Sequence, residues 1–211
     1  MGDGLELLNG SISREIIYDD VYRMLGNPIG HFDTIIDIGA NAGVFCIQAR
    51  VLNPKARILA FEPYQVPRSY LEQNMKQFKV EIYPVALGDG GVKYLRERRN
   101  TTMAIVKDQP DKDLIPVVSL SPEQIFALAE PKPGKIMLKV DCEGSERYFI
   151  GHEELLRRCE QVSLEIHYED RVPSYKTRSW WQDWIKQFAD RFTMREHWSS
   201  KYAIVVLKRK Q

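Results

Sequence analysis

The chain has 211 residues, carries 30 Lys and Arg against 29 Asp and Glu for a formal net charge of +1, and is 44% hydrophobic. That length suffices for a proper core and reads as one domain over 1–211, and the near balance of charge removes the electrostatic case for nucleic acid or a membrane as the main partner. No apolar run nears the ~20 residues of a membrane span, residues 1–6 lack the basic and apolar regions of a signal peptide, and Cys46, Cys142 and Cys159 show no metal or CxxC spacing, so the expectation is reduced thiols in the cytoplasm.

Strand and helix signals alternate along the chain, the pattern of a parallel sheet with helices on both faces. A first strand is predicted at 33–38, a helix at 43–52, a second strand at 57–61 and a helix at 66–78. A third strand follows from Val80 to Val85, with Pro84 as an irregularity, then a polar, hairpin-like stretch to about 107. Ile115 to Leu120 reads as a short strand, and Ser121-Pro122-Glu123 as an N-cap with proline in the first turn of a helix reaching Ala129. Lys135 to Val140 is the fourth main strand, Gly144 to Arg158 a helix, Val162 to Ile166 the fifth strand, and 177–190 a helix bearing Trp180, Trp181 and Trp184, which read as packing residues. Phe192 to Trp198 and Tyr202 to Leu207 are joined by three residues and so must pair antiparallel. The predicted fold class is α/β, a mostly parallel seven-stranded sheet closed by a C-terminal antiparallel hairpin, the sheet plan of class I methyltransferases.

The chemistry is concentrated in Asp37-Ile38-Gly39-Ala40-Asn41-Ala42-Gly43 and Phe61-Glu62-Pro63. A strand, Gly-rich turn, helix, second strand and terminal acid together form a nucleoside site. A dinucleotide turn needs glycine where this chain has Asn41, because the backbone must approach a pyrophosphate. Asp37 would repel a pyrophosphate but suits a ligand carrying an ammonium and a sulfonium. These residues therefore point to S-adenosylmethionine, with Glu62 accepting from both ribose hydroxyls. Asp89 is placed either as an acceptor for the adenine amino group or as a turn former in Gly88-Asp89-Gly90-Gly91.

These motifs, together with Asn74, Ala86-Leu87-Gly88-Asp89, Lys139-Val140-Asp141-Cys142-Glu143-Gly144-Ser145-Glu146 and Glu165-Ile166-His167, resemble the FkbM-type methyltransferase family over roughly residues 34–170. The resemblance implies a Rossmann-like core over 33–207 behind an N-terminal cap at 1–31 on the substrate side. It also implies S-adenosylmethionine as donor and, usually, O-methylation of a natural product or saccharide. Asp37, Gly39, Asn41, Gly43, Glu62 and Asp89 carry over as cofactor positions, and Pro63, next to Glu62, is counted with them. Ser121 stands where the family often has an acid, a departure that concerns capping.

Strand ends in an open α/β sheet deliver the reacting groups. Lys139, Asp141 and Glu143 leave the fourth strand there, and Glu165 and His167 the fifth, with i and i+2 on a shared face. Asp141 is the first candidate, as a base or as the group that orients one, followed by Glu143 and His167. Lys139–Asp141 also reads as an ion pair bracing the sheet. Asp141, Glu143 and His167 would be the ligands if a divalent metal took part, but their spacing does not call for one. The expected acceptor is a small molecule or glycan, met by residues 1–31, 96–102 and 168–176. N-methylation and a catalytically silent cofactor-binding protein are the rival readings, and the sequence leaves the oligomeric state open.

Overall fold

The computed structural model describes residues 14–97, 104–130, 134–168 and 176–210. Its central sheet contains β1 (Thr34–Ile38), β2 (Arg57–Phe61), β3 (Glu81–Tyr83), β8 (Ile136–Val140), β9 (Gln161–His167), β10 (Phe192–Trp198) and β11 (Tyr202–Arg209). The order is β10-β11-β9-β8-β1-β2-β3. The pairs from β9 to β3 are parallel, whereas β11 runs antiparallel to both its neighbours. The last strand thus inserts between β9 and β10. Ala203 to Leu207 are all buried, as an interior strand requires, while Thr193, Arg195, Glu196 and His197 of the edge strand β10 are exposed.

Helices α1 (Val44–Leu52), α2 (Gln65–Asn74), α3 (Pro122–Ala129), α4 (Glu153–Arg158) and α5 (Arg178–Lys186) pack on the two faces. Strand alternation divides the core. Ile36 and Ile38 join Phe126, Trp181 and Phe188 on one side, and Ile35 joins Phe45, Ala49 and Met137 on the other. Trp181 is buried, with edge-on contacts to Trp180 and Trp184 at 5.4 and 5.2 Å. Ser121 caps α3 through a reciprocal bond set with Gln124. No helix among the described residues is long and apolar enough to cross a membrane.

Several elements depart from the sequence reading. The third strand stops at Tyr83, because Pro84 has no N–H for the ladder. The chain then enters a second sheet, β4 (Ala86–Leu87), β7 (Ile115–Leu120), β5 (Gly91–Glu97) and β6 (Ala104–Lys107), in the order β4-β7-β5-β6. The single helix predicted over 144–158 is a 3₁₀ turn, Ser145–Phe149, followed by α4. Gly151 at φ +88° breaks it, a conformation no L-residue adopts cheaply within a helix. The 66–78 and 177–190 helices are shorter, at Gln65–Asn74 and Arg178–Lys186.

The N-terminal segment docks on the sheet through its backbone. The Ile16 carbonyl accepts from Gln48 Nε2 at 3.1 Å. The Tyr22 carbonyl accepts from Gln161 Nε2 at 2.8 Å and Ser163 Oγ at 3.0 Å. Gln161, Ser163 and Glu165 alternate along β9, so one polar stripe on the strand receives this segment.

Candidate active site

At the C-terminal end of β1 the chain turns through Gly39, whose φ is +79°. A Cβ there would stand 1.7 Å from the Asp141 carbonyl oxygen, so the turns after β1 and β8 pack backbone on backbone. The Gly39 and Ala40 N–H groups both donate to the Phe61 carbonyl, at 2.9 and 3.1 Å. Asn41 takes φ +49° and donates its N–H to Glu62 Oε2 at 2.9 Å. Asn74 Nδ2 donates to the Ala42 carbonyl at 2.8 Å, tying the turn to α2. Gly43 caps α1 and faces Leu71.

Glu62 is buried, and its other oxygen accepts from the Tyr64 N–H at 2.9 Å. Burial pushes its carboxyl up to about 7, against the pull of the two backbone donors. Each oxygen keeps a lone pair for a further donor.

Behind the turn, Lys139 Nζ donates to the Gly39 carbonyl at 2.7 Å and stands 3.1 Å from Asp37 Oδ1 and 3.8 Å from Asp141 Oδ2. Alternation on β1 puts Asp37 on the α1 face, where the Cys46 thiol donates to Oδ2 at 3.2 Å. Burial disfavours charge on Lys139, but Asp37 and Asp141 outweigh it and hold the ammonium above its ordinary value. Lys139 is therefore a fixed cation and no base. Burial, with Asp37 alongside, raises the Cys46 thiol well above its usual range, so it stays a donor.

Beyond Lys139, the Tyr22 hydroxyl donates to Asp141 Oδ2 at 3.0 Å and reaches Glu165 Oε2 at 3.5 Å. Burial and the Asp141 charge push Glu165 up to about 8. His167 Nδ1 lies 3.2 Å from Glu146 Oε1, and its Nε2 lies 3.6 Å from Glu165 and 3.7 Å from Glu143. Burial opposes its charge, but Glu146, Asp141 and Glu143 carry its pKa up to about 10. Its carboxylate neighbours thus favour the charged form of the ring.

One cavity opens at these strand ends. Its lining includes Gly39, Asn41, Glu62, Pro63, Lys139, Asp141 and Glu143 of the predicted residues, with Val85 to Leu87 and Val106 on the second-sheet side. Asp37, Gly43 and His167 are not part of the lining, and His167 Nε2 lies 3.6 Å from the lining residue Glu165. Asp89 is not brought to the cavity. The chain has left the central sheet at Pro84, and the largely exposed Asp89 carboxylate pairs with Lys93 Nζ at 2.6 Å. Glu165, Glu15, Ile16 and Tyr22 also line the cavity. Glu165 was signalled by sharing a strand face with His167, whereas Glu15 and Tyr22 fall in the 1–31 segment expected on the acceptor side without being singled out there. The group able to hold a metal is Asp141, Glu165 and His167, with Glu165 in the place expected for Glu143. Of the expected acceptor segments, 1–13, 98–102 and 169–175 lie outside the described residues.

A parallel sheet with its final strand reversed and inserted, and a cavity framed by a Gly turn and terminal acids, define a Rossmann-like methyltransferase. Solved structures share this fold. The precorrin-6y C5,15-methyltransferase of Geobacter metallireducens aligns with a TM-score of 0.52 at 12% identity, over 92% of this chain and 88% of that one. An FkbM methyltransferase of Methylobacillus flagellatus aligns with a TM-score of 0.53 at 11% identity, over 83% and 43%. The family model for the methyltransferase FkbM domain matches residues 37–192, and the chain belongs to that family. Among curated relatives, the AMB antimetabolite synthetase AmbE of Pseudomonas aeruginosa is 34% identical over 80 residues, 37% of this chain. The 31-O-demethyl-FK506 methyltransferase FkbM of Streptomyces tacrolimicus is 36% identical over 67 residues, 32% of this chain. The matched stretches span 4% and 26% of those two proteins.

Proposed function

We propose that the protein is an S-adenosylmethionine-dependent methyltransferase that methylates a hydroxyl on a small metabolite, natural product or saccharide. The observation that carries this reading is one cavity with two acidic ends. Glu62 stands at the turn end with both oxygens still able to accept, which suits a ribose diol. The Asp141–Glu165 pair stands at the other end, joined by Tyr22. The name of the FkbM relative, 31-O-demethyl-FK506 methyltransferase, supports oxygen as the acceptor atom.

Methyl transfer from a sulfonium is an in-line displacement, and alignment supplies much of the barrier lowering. Bound S-adenosylmethionine would supply the methyl group, with the hydroxyl oxygen as nucleophile and the sulfur, keeping the electrons of the S–C bond, as leaving group. The hydroxyl proton passes to a carboxylate of the Asp141–Glu165 pair. Glu165, pushed up to about 8 by burial and the Asp141 charge, is once ionised a stronger proton acceptor than an ordinary carboxylate. Lys139 holds the turn after β1 from behind and stands 3.8 Å from Asp141 Oδ2.

Titration calorimetry with S-adenosylmethionine, S-adenosylhomocysteine and NAD tests the cofactor. Micromolar binding of the first two, weakened at least about tenfold in Glu62→Ala, is the expected result. Preference for NAD would overturn the reading. Mass spectrometry of the product then separates a methyl ether from a methylamine.

A further inference from the structure

We infer that Asp141, Glu165 and His167 form a binding site for one divalent cation of the Mn²⁺ type at the acceptor end of the cavity. The inference rests on the methyltransferase reading for its purpose and on independent geometry for its existence. One ligand atom from each of the three residues lies within 4.8 Å of the others. Donors about 2–2.5 Å from a shared ion stand up to about 4–5 Å apart across it. The three come from two adjacent strand ends, β8 and β9, whose parallel pairing fixes their separation.

The surroundings are those of a cation site. The Tyr22 hydroxyl occupies Oδ2 of Asp141 and Oε2 of Glu165, which leaves Oδ1 and Oε1 for a ligand. His167 Nδ1 is anchored on Glu146, a buried carboxylate whose Oε1 also accepts from the Cys142 and Gly144 N–H groups at 2.9 and 3.2 Å. An imidazole held through one nitrogen by a fixed carboxylate presents the other in a set direction, the usual support for a metal-bound histidine, and a cation binding there displaces the Nε2 proton to solvent. Here Nε2 faces Glu165 and Glu143. A second observation points to a ligand in the same cavity. Ser145 lines it at 1% exposure, and its Oγ has no hydrogen-bond partner among the described residues. Two carboxylate oxygens and an imidazole nitrogen make a mixed oxygen–nitrogen donor set, which a first-row divalent ion such as Mn²⁺ accepts and which differs from the mostly oxygen and water shell that Mg²⁺ takes. A cation there would orient an acceptor hydroxyl and lower its pKa.

The test uses the full chain stripped with chelator and titrated with Mn²⁺ alone, followed by electron paramagnetic resonance and calorimetry. The expected result is one bound Mn²⁺ per chain, weakened by about tenfold or more in His167→Gln and in Glu165→Gln. Glu62→Ala, at the other end of the cavity, should keep Mn²⁺ affinity. S-adenosylhomocysteine binding is measured in parallel. If Mn²⁺ fails to bind wild type at millimolar concentration while S-adenosylhomocysteine still binds, the cation site is overturned and the methyltransferase reading stands. If Mn²⁺ binds and no adenosyl ligand does, the site stands and the methyltransferase reading fails. The wild-type titration decides the matter even where a variant folds poorly, and binding unchanged in both folded variants would overturn the assignment of ligands.

Discussion

Replacing Lys139 with Met should destabilise the protein far more than an ordinary substitution, and a second replacement should reverse most of the loss. The side chains of Lys139 and Asp37 are 3% and 0% exposed and stand 3.1 Å apart. Met fills the space of the lysine stem but leaves Asp37 buried, with the weak Cys46 thiol as its remaining side-chain donor at 3.2 Å. The Gly39 carbonyl also loses its 2.7 Å donor. Removing one partner of a buried ion pair costs about 3–5 kcal/mol. At this chain length each kcal/mol moves the thermal midpoint by about 2–4 °C, so a fall of roughly 6–20 °C is expected. In Lys139→Met with Asp37→Leu no buried charge is left uncompensated, and apolar replacement of a buried pair is often close to neutral. The assay is a double-mutant cycle by urea and thermal unfolding, followed by circular dichroism. The predicted coupling is about 2 kcal/mol or more in favour of the double variant. A single-variant cost under about 1 kcal/mol, or effects that simply add, would refute the argument.

Glu62 makes cofactor affinity depend on pH. Its carboxyl titrates near 7 in the ligand-free protein, and only the ionised form accepts from both ribose hydroxyls, so S-adenosylhomocysteine should bind more weakly at pH 6 than at pH 8 by calorimetry. A flat profile would remove Glu62 from the ribose role. Gly39→Ala should abolish adenosyl binding and cost more than the about 1–2 kcal/mol of the left-handed conformation alone, since its Cβ meets the Asp141 carbonyl. Retained midpoint and affinity would contradict the close packing of the two turns. Tyr22→Phe removes the donor to Asp141 but keeps the edge contact with Phe45 at 5.6 Å. It should cost about 1 kcal/mol by denaturant titration with cofactor affinity unchanged, and lost cofactor affinity would place Tyr22 at the wrong end of the cavity.

The parts legible in the sequence were those fixed by local pattern. β1 and β2 fall within a residue of prediction because short, doubly buried apolar runs end abruptly in glycine or proline. β11 carries the same continuous apolar signal, yet its position between β9 and β10 is a matter of tertiary pairing that no local pattern encodes. The Ser121 cap was legible because capping chemistry spans four residues. At the site, Gly39, Asn41, Glu62, Pro63, Lys139, Asp141 and Glu143 meet because parallel strands bring their C-terminal ends together, whatever their separation in sequence. Asp89, read as either an adenine contact or a turn former, lies outside the cavity lining because the chain leaves the third strand at Pro84. Tyr22 could not be found from sequence, since its segment has no periodicity and its position follows from a polar stripe on a strand some 140 residues later.

The closeness of the two half-sites follows from a single lysine and a single glycine. Lys139 touches the carbonyl of the cofactor turn and the Asp37 carboxylate, and it also faces Asp141 on the acceptor wall. Gly39 lets the backbone of that turn press against the backbone of the Asp141 turn. A displacement of the cofactor turn therefore meets a hard contact with the Asp141 carbonyl and pulls on a charge that Asp141 shares. The two ends of the cavity are thus rigidly spaced before any ligand arrives, which is the preorganisation an in-line displacement needs. It also explains why residue 139 is a lysine: an apolar side chain would leave the buried Asp37 carboxylate stranded and the Gly39 carbonyl without its donor.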